Sequence, residues 1–138
     1  MSYRTEDDIL KIVRAFETGT IRREDWRHAE HLTVAFYYAS RHDFETALEK
    51  MRAGIFNLLR AFAVDLSKEM PYHETLTVFW MRQIFDLLEK RDGGGALIET
   101  ANEVLEICGD KDLPLKFYSR ERLFSDQARR EFVAGDLL

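Results

Sequence analysis

Between Asp43 and Phe62, apolar residues recur at Phe44, Leu48, Met51, Ile55, Leu58 and Phe62, alternating by four and three. An α-helix turns once every 3.6 residues, so this spacing lays all six side chains along one stripe. A stripe of that length has to be covered, and other helices with stripes of their own cover it most simply. It is read as core packing rather than as a cofactor box, because any bundle helix needs it. Asp43 supplies a side-chain oxygen to cap the start of this helix. Gly54 sits inside it, where glycine costs about 1 kcal/mol relative to alanine; it either marks the close approach of a neighbouring helix or is incidental.

The flanking segments carry the same period. Thr5 can cap a first helix whose Glu6, Asp7 and Asp8 place negative charge at the positive end of the helix dipole, with Ile9, Val13 and Phe16 on one face and Gly19 at its end. A second helix is expected from about Asp25 or Trp26 to Ser40. A fourth is expected from Pro71 to about Lys90, with Pro71 in the first turn, where its missing amide hydrogen matters little. A fifth runs from Ala96 to Cys108 and stops at Gly109. The run Asp92-Gly93-Gly94-Gly95 is a flexible connector and not a phosphate loop, since no strand precedes it and no Lys-Ser/Thr follows at the required spacing. Beyond Leu113 the pattern becomes irregular, with Ser119 and Ser125 each able to cap a short turn in a segment that wraps across the bundle. The expected fold is all-α, a single domain over residues 1–138 with about five main helices and a short-helical C-terminal segment.

With 138 residues and 46% hydrophobic content, the chain can bury one real core. Its net charge of −5 argues against a nucleic-acid partner, which would need concentrated basic surface. Lys111, Lys116, Arg120, Arg122, Arg129 and Arg130 do gather in the last quarter. They read as solvated helix faces or, in the sharper alternative, as an anion-binding edge. Cys108 is the single cysteine, so no intrachain disulfide can form and a reducing compartment is expected, with the thiol in the core. The opening residues lack the basic start and apolar run of a signal peptide, and no apolar stretch is long enough to span a bilayer; the expectation is a soluble, cytoplasmic protein without a membrane partner. Exposed aromatic residues leave room for a homodimer.

Three of the four histidines fall in two short motifs, His28-Ala29-Glu30-His31-Leu32 and Tyr72-His73-Glu74-Thr75-Leu76-Thr77. At about 100° per residue, Leu32, Ala35 and Ala39 lie within about 40° of His28, and His31 about 60° to one side, so both histidines face inward while Glu30 projects to the other flank. If His73 faces them from the fourth helix, the three imidazoles form a candidate ligand set for a divalent metal, zinc or iron, with a coordination position left open for water. Such an ion would generate hydroxide near neutral pH or polarise a carbonyl. Glu74 is then a candidate fourth ligand or general base, with Glu24 and Asp25 as alternatives, while Tyr38, Tyr72 and Thr77 are candidates for supporting hydrogen bonds. Tyr118 and Arg120 are candidates to close the pocket and hold an anionic group. The bare H-x-x-H spacing lacks the internal glutamate of H-E-x-x-H, and a buried histidine alone is usually a satisfied core residue. Three facing inward each need a partner, which a shared metal would supply.

These two motifs, together with Met51-Arg52-Ala53-Gly54-Ile55 and Phe117-Tyr118-Ser119-Arg120-Glu121-Arg122-Leu123, resemble a family of small bacterial proteins of unassigned function. The resemblance covers most of the chain. It implies a bacterial, single-domain helical protein and transfers no catalytic role. Two functional expectations follow from the residues themselves. One is a metal-dependent enzyme, of hydrolase type, acting on a small polar substrate. The other is a non-catalytic helical module that binds a small ligand or protein partner, with the histidines as polar lining.

Overall fold

The computed structural model describes residues 3–91 and 96–137, so the predicted connector Asp92-Gly93-Gly94-Gly95 lies outside the described residues. Seven α-helices are present among them and no strand: α1 (Glu6–Glu17), α2 (His28–Arg41), α3 (Phe44–Ala61), α4 (Glu74–Lys90), α5 (Leu97–Ile107), α6 (Arg120–Leu123) and α7 (Asp126–Arg130). Short 3-10 turns occupy Arg23–Asp25 and Leu113–Lys116. Among the described residues, no helix is long and apolar enough to cross a membrane.

The helix at the centre is α2, which packs against α1, α3, α4 and α5. Its burial runs from Leu32 through Phe36 without a polar face between, as a helix surrounded on all sides requires. The predicted stripe of α3 is buried at Leu48, Met51, Ile55 and Leu58, with Phe44 and Phe62 packed against the core from its margin. Each such side chain contributes about 1.5–3 kcal/mol when fully withdrawn from water. Gly54 does mark a close approach: a Cβ there would lie 2.2 Å from Cζ of Phe16, a ring with no exposed surface.

Most helix starts follow their sequence signals. Thr5 and Asp8 form a reciprocal capping box on α1, and Asp43 caps α3 by accepting from the Thr46 amide at 2.8 Å. Two starts lie later than expected. Rather than at Asp25 or Trp26, α2 begins at His28, because the Glu30 carboxylate accepts from the Arg27 backbone N–H at 3.1 Å and sets the first turn there. Trp26, left outside, stacks on Phe16 at 5.0 Å between centroids. Rather than at Pro71, α4 begins at Glu74, because the side chain of His73 serves as its cap.

The C-terminal segment is held against the start of α4. Ser119 and Ser125 cap α6 and α7, accepting from the amides of Arg122 and Ala128. The Thr75 hydroxyl lies 2.7 Å from the Ala128 carbonyl and 3.0 Å from that of Glu131, and it also accepts from the Val133 amide at 3.2 Å. Tyr118 donates to the Val133 carbonyl at 2.6 Å.

Candidate functional site

Where the starts of α2 and α4 face each other, a cavity of about 280 Å³ opens. Trp26, Trp80, Tyr72, Ile55 and Leu76 give it a largely aromatic and apolar wall, and all three motif histidines reach it. Shared lining is not convergence, however. The three rings are directed to different neighbours, and those neighbours decide what each can do.

His73 is buried and committed at both nitrogens. Its Nδ1 accepts from the Leu76 backbone N–H at 3.2 Å, so Nε2 carries the proton and donates to the Leu123 carbonyl at 2.6 Å. One ring thereby caps α4 and clasps the C-terminal segment. Burial lowers its pKa, opposed by the Leu123 carbonyl. His28 directs Nε2 at the Cys108 carbonyl, 2.9 Å away, tying the start of α2 to the end of α5, and packs edge-on against Trp80 at 4.7 Å.

His31 differs from both. It is half-buried, packs edge-on against Trp26 at 5.7 Å, and its ring nitrogens make no hydrogen bond among the described residues. Burial pushes its imidazole down to about 4, with the neighbouring His28 adding to the shift. At neutral pH the ring is therefore uncharged, with one donor and one acceptor to offer.

The expected three-histidine ligand face is thus not assembled. A metal ligand must present a free lone pair; both His73 nitrogens are engaged by the backbone, whereas His28 donates Nε2–H to the Cys108 carbonyl and keeps the lone pair of Nδ1. Among the described residues, no group of three or more His, Cys, Asp or Glu side chains is placed to hold a metal ion. The remaining candidates also lie apart. Glu74 receives two hydrogen bonds from Arg52, at 3.0 and 2.5 Å, and a short one from the Tyr72 hydroxyl. Burial alone would raise its carboxyl, but Arg52 and Tyr72 outweigh this and hold it below the ordinary range. Tyr118 is buried with its hydroxyl on Val133, and Arg120 is exposed at the start of α6; neither lines the histidine cavity. Glu24 and Asp25 pair with Arg22 at 3.3 and 2.8 Å, and Tyr38 donates to Glu17 at 2.8 Å. Thr77 lines the cavity and donates to the His73 carbonyl at 2.9 Å. Cys108 is buried as expected, its thiol pushed up to about 11 by desolvation.

Several residues that shape this region carry no sequence signal of their role. Thr75 sits in the apolar stretch of α4 and looks like a small core residue until α7 is seen against it. Arg52 meets Glu74 across 22 positions, beyond any local pattern. The tryptophans are recognisable as core candidates, but their joint lining of one cavity is not. Compared with protein-family models, with curated proteins and with solved structures, the chain finds no match, so the functional reading rests on these residues alone.

Proposed function

We propose that this protein is a small-ligand binding module whose site is the aromatic cavity between the starts of α2 and α4, with His31 as the recognition group. The single observation that carries the reading is the imidazole of His31, hydrogen-bonded at neither nitrogen among the described residues, on a largely aromatic and apolar wall whose other polar groups are Arg27, Thr77, the Tyr72 hydroxyl, His73 with both nitrogens engaged and His28 with one. Sites of this kind are mostly apolar with a few placed polar groups, and about 280 Å³ lies near the small end of their ~300–1,000 Å³ range. The complementary ligand is a small, flat, uncharged molecule with one polar edge for His31 and a ring for Trp26 and Trp80. Recognition suits His31 better than proton abstraction, since a general base works best with a pKa near the working pH and this one is held at about 4.

Both tryptophans of the chain line the cavity, so intrinsic tryptophan fluorescence reads this site directly. Titration with a panel of neutral heteroaromatic fragments, including indole, benzimidazole and phenol, is expected to give saturable changes for some members. His31→Leu is expected to weaken them by tenfold or more. A flat response across the panel, or equal binding by the variant, would remove the reading.

The metal-dependent hydrolase is the second reading, favoured by the gathering of three histidines on one cavity. It requires the ring of His73 to give up one of its two backbone partners for a metal ion, while His28 has Nδ1 unengaged. Protein purified without a tag or chelator and then offered zinc, iron, nickel and manganese should bind close to one equivalent if this occurs. Less than about a tenth of an equivalent would eliminate it. The resemblance to the bacterial family assigns no role to either reading.

A further inference from the structure

A second cavity, of about 410 Å³, lies on the other side of Tyr72, between α3, the segment before α4, and α7. Arg52, Arg129 and Arg130 line it against a single carboxylate, Glu74. That carboxylate is already held by Arg52, whose two contacting nitrogens leave further N–H groups of the guanidinium unused. Among the described residues, neither Arg129 nor Arg130 has a carboxylate within 4.0 Å. Arg129 makes only a long contact, 3.4 Å, to the Met70 carbonyl. The rest of the wall is apolar: Phe56 packs on the Tyr72 ring at 4.8 Å, and Met70 is 45% exposed. On a chain of net charge −5, two guanidinium groups without counter-ions beside an apolar floor are a local reversal of sign.

We infer that this cleft binds a small amphipathic anion, a carboxylate or phosphate group on a short apolar body, with the head between Arg129 and Arg130 and the body against Phe56 and Met70. Guanidinium groups suit such heads because their planar N–H forks match two oxygens at once. The fixed Arg52–Glu74 pair contributes a rigid wall and the remaining donors of Arg52. This site shares only Tyr72 with the histidine cavity, and its charged groups are its own.

The test uses three probes with one body: hexanoate, hexyl phosphate and 1-hexanol. Each is titrated by calorimetry and by following the ¹³C-methyl signal of Met70. Saturable binding of at least one of the two anions, at least tenfold tighter than hexanol, is expected, and the tighter anion identifies the head as carboxylate or phosphate. Arg130→Gln should weaken it by fivefold or more, Arg129→Gln similarly, and the double variant by more than either, while Arg130→Lys should retain part of the affinity. Raising NaCl from 50 to 300 mM should weaken binding, and tryptophan fluorescence should stay unchanged. Hexanol binding within twofold of both anions, or an unaltered affinity in the double variant, would overturn the inference. Arg130 is exposed and its side chain makes no hydrogen bond or ion pair among the described residues, so its variant keeps the test valid even if Arg129→Gln loosens the Met70 segment.

Discussion

His31 and His73 line the same cavity and are the same residue type, yet they have opposite standing. His73 spends one nitrogen on the first turn of its own helix and the other on a carbonyl fifty residues away. His31, one turn into α2, spends neither on the protein. A buried polar group that is satisfied belongs to the fold, whereas one left open toward a cavity is held ready for something else. Facing inward is therefore not enough to make a histidine functional; what matters is whether its nitrogens are already taken.

The comparison is broken most forcefully at His73. His73→Ala removes a helix cap and leaves the Leu123 carbonyl without its donor, and should cost about 3 kcal/mol in denaturant-induced unfolding. His73→Asn should recover about 1 kcal/mol, since Asn can cap α4 but is too short to reach α6. If His73→Ala costs less than about 1 kcal/mol, the clasp is not what orders this end of the molecule.

Thr75 tests the same clasp from the next turn. Thr75→Val keeps shape and volume but removes the one hydroxyl proton shared between the Ala128 and Glu131 carbonyls and the acceptor of the Val133 amide, with an expected loss of about 2 kcal/mol. The sharper readout is local: amide exchange in residues 126–137 should accelerate more than that in α3.

His31 should announce itself through pH. Its imidazole is held near 4 in the native state against about 6.5 in an unfolded chain, so the unfolded state binds a proton first as pH falls. The associated stability is fully present above about pH 6.5 and is lost progressively toward pH 4. A shift of this size corresponds to about 3 kcal/mol, reduced by the ring's partial exposure to on the order of 2. His73 is shifted in the same direction and contributes in the same window, so the comparison is between the native chain and His31→Leu, which should retain more of its stability at pH 4.5. Histidine ring NMR should place the His31 midpoint below pH 5; a midpoint near 6.5 would mean that burial does not keep the ring neutral.

The smallest effect is expected at His28. His28→Leu removes one hydrogen bond to the Cys108 carbonyl and keeps an apolar neighbour for Trp80, at a cost of about 1 kcal/mol. A cost as large as that of His73→Ala would show that His28 also acts as a clasp.

The apolar periods of α1, α3 and α5, the Thr5, Asp43, Ser119 and Ser125 caps, and the Gly19 and Gly109 stops were all legible along the chain. Each depends on residues a few positions apart, where helix geometry alone dictates what meets what. The starts of α2 and α4 lie two or three residues beyond where the sequence signals place them, for an informative reason. In both, a residue of the motif itself caps the helix: Glu30 through its carboxylate and His73 through its ring. A histidine cap has no strong sequence signature, and reading His73 as an interior helical residue leaves its capping role unseen.

Sequence alone therefore determined that this chain forms a helical bundle, and that two polar motifs lie at its helix starts. Only tertiary structure decided what those motifs do, because the partners of His28, His73 and Thr75 lie fifty or more positions away. No local period encodes such a distance. A ring nitrogen is free or engaged according to which backbone carbonyl or amide the fold brings beside it, and His31, engaged at neither, stands apart from His28 with one taken and His73 with both.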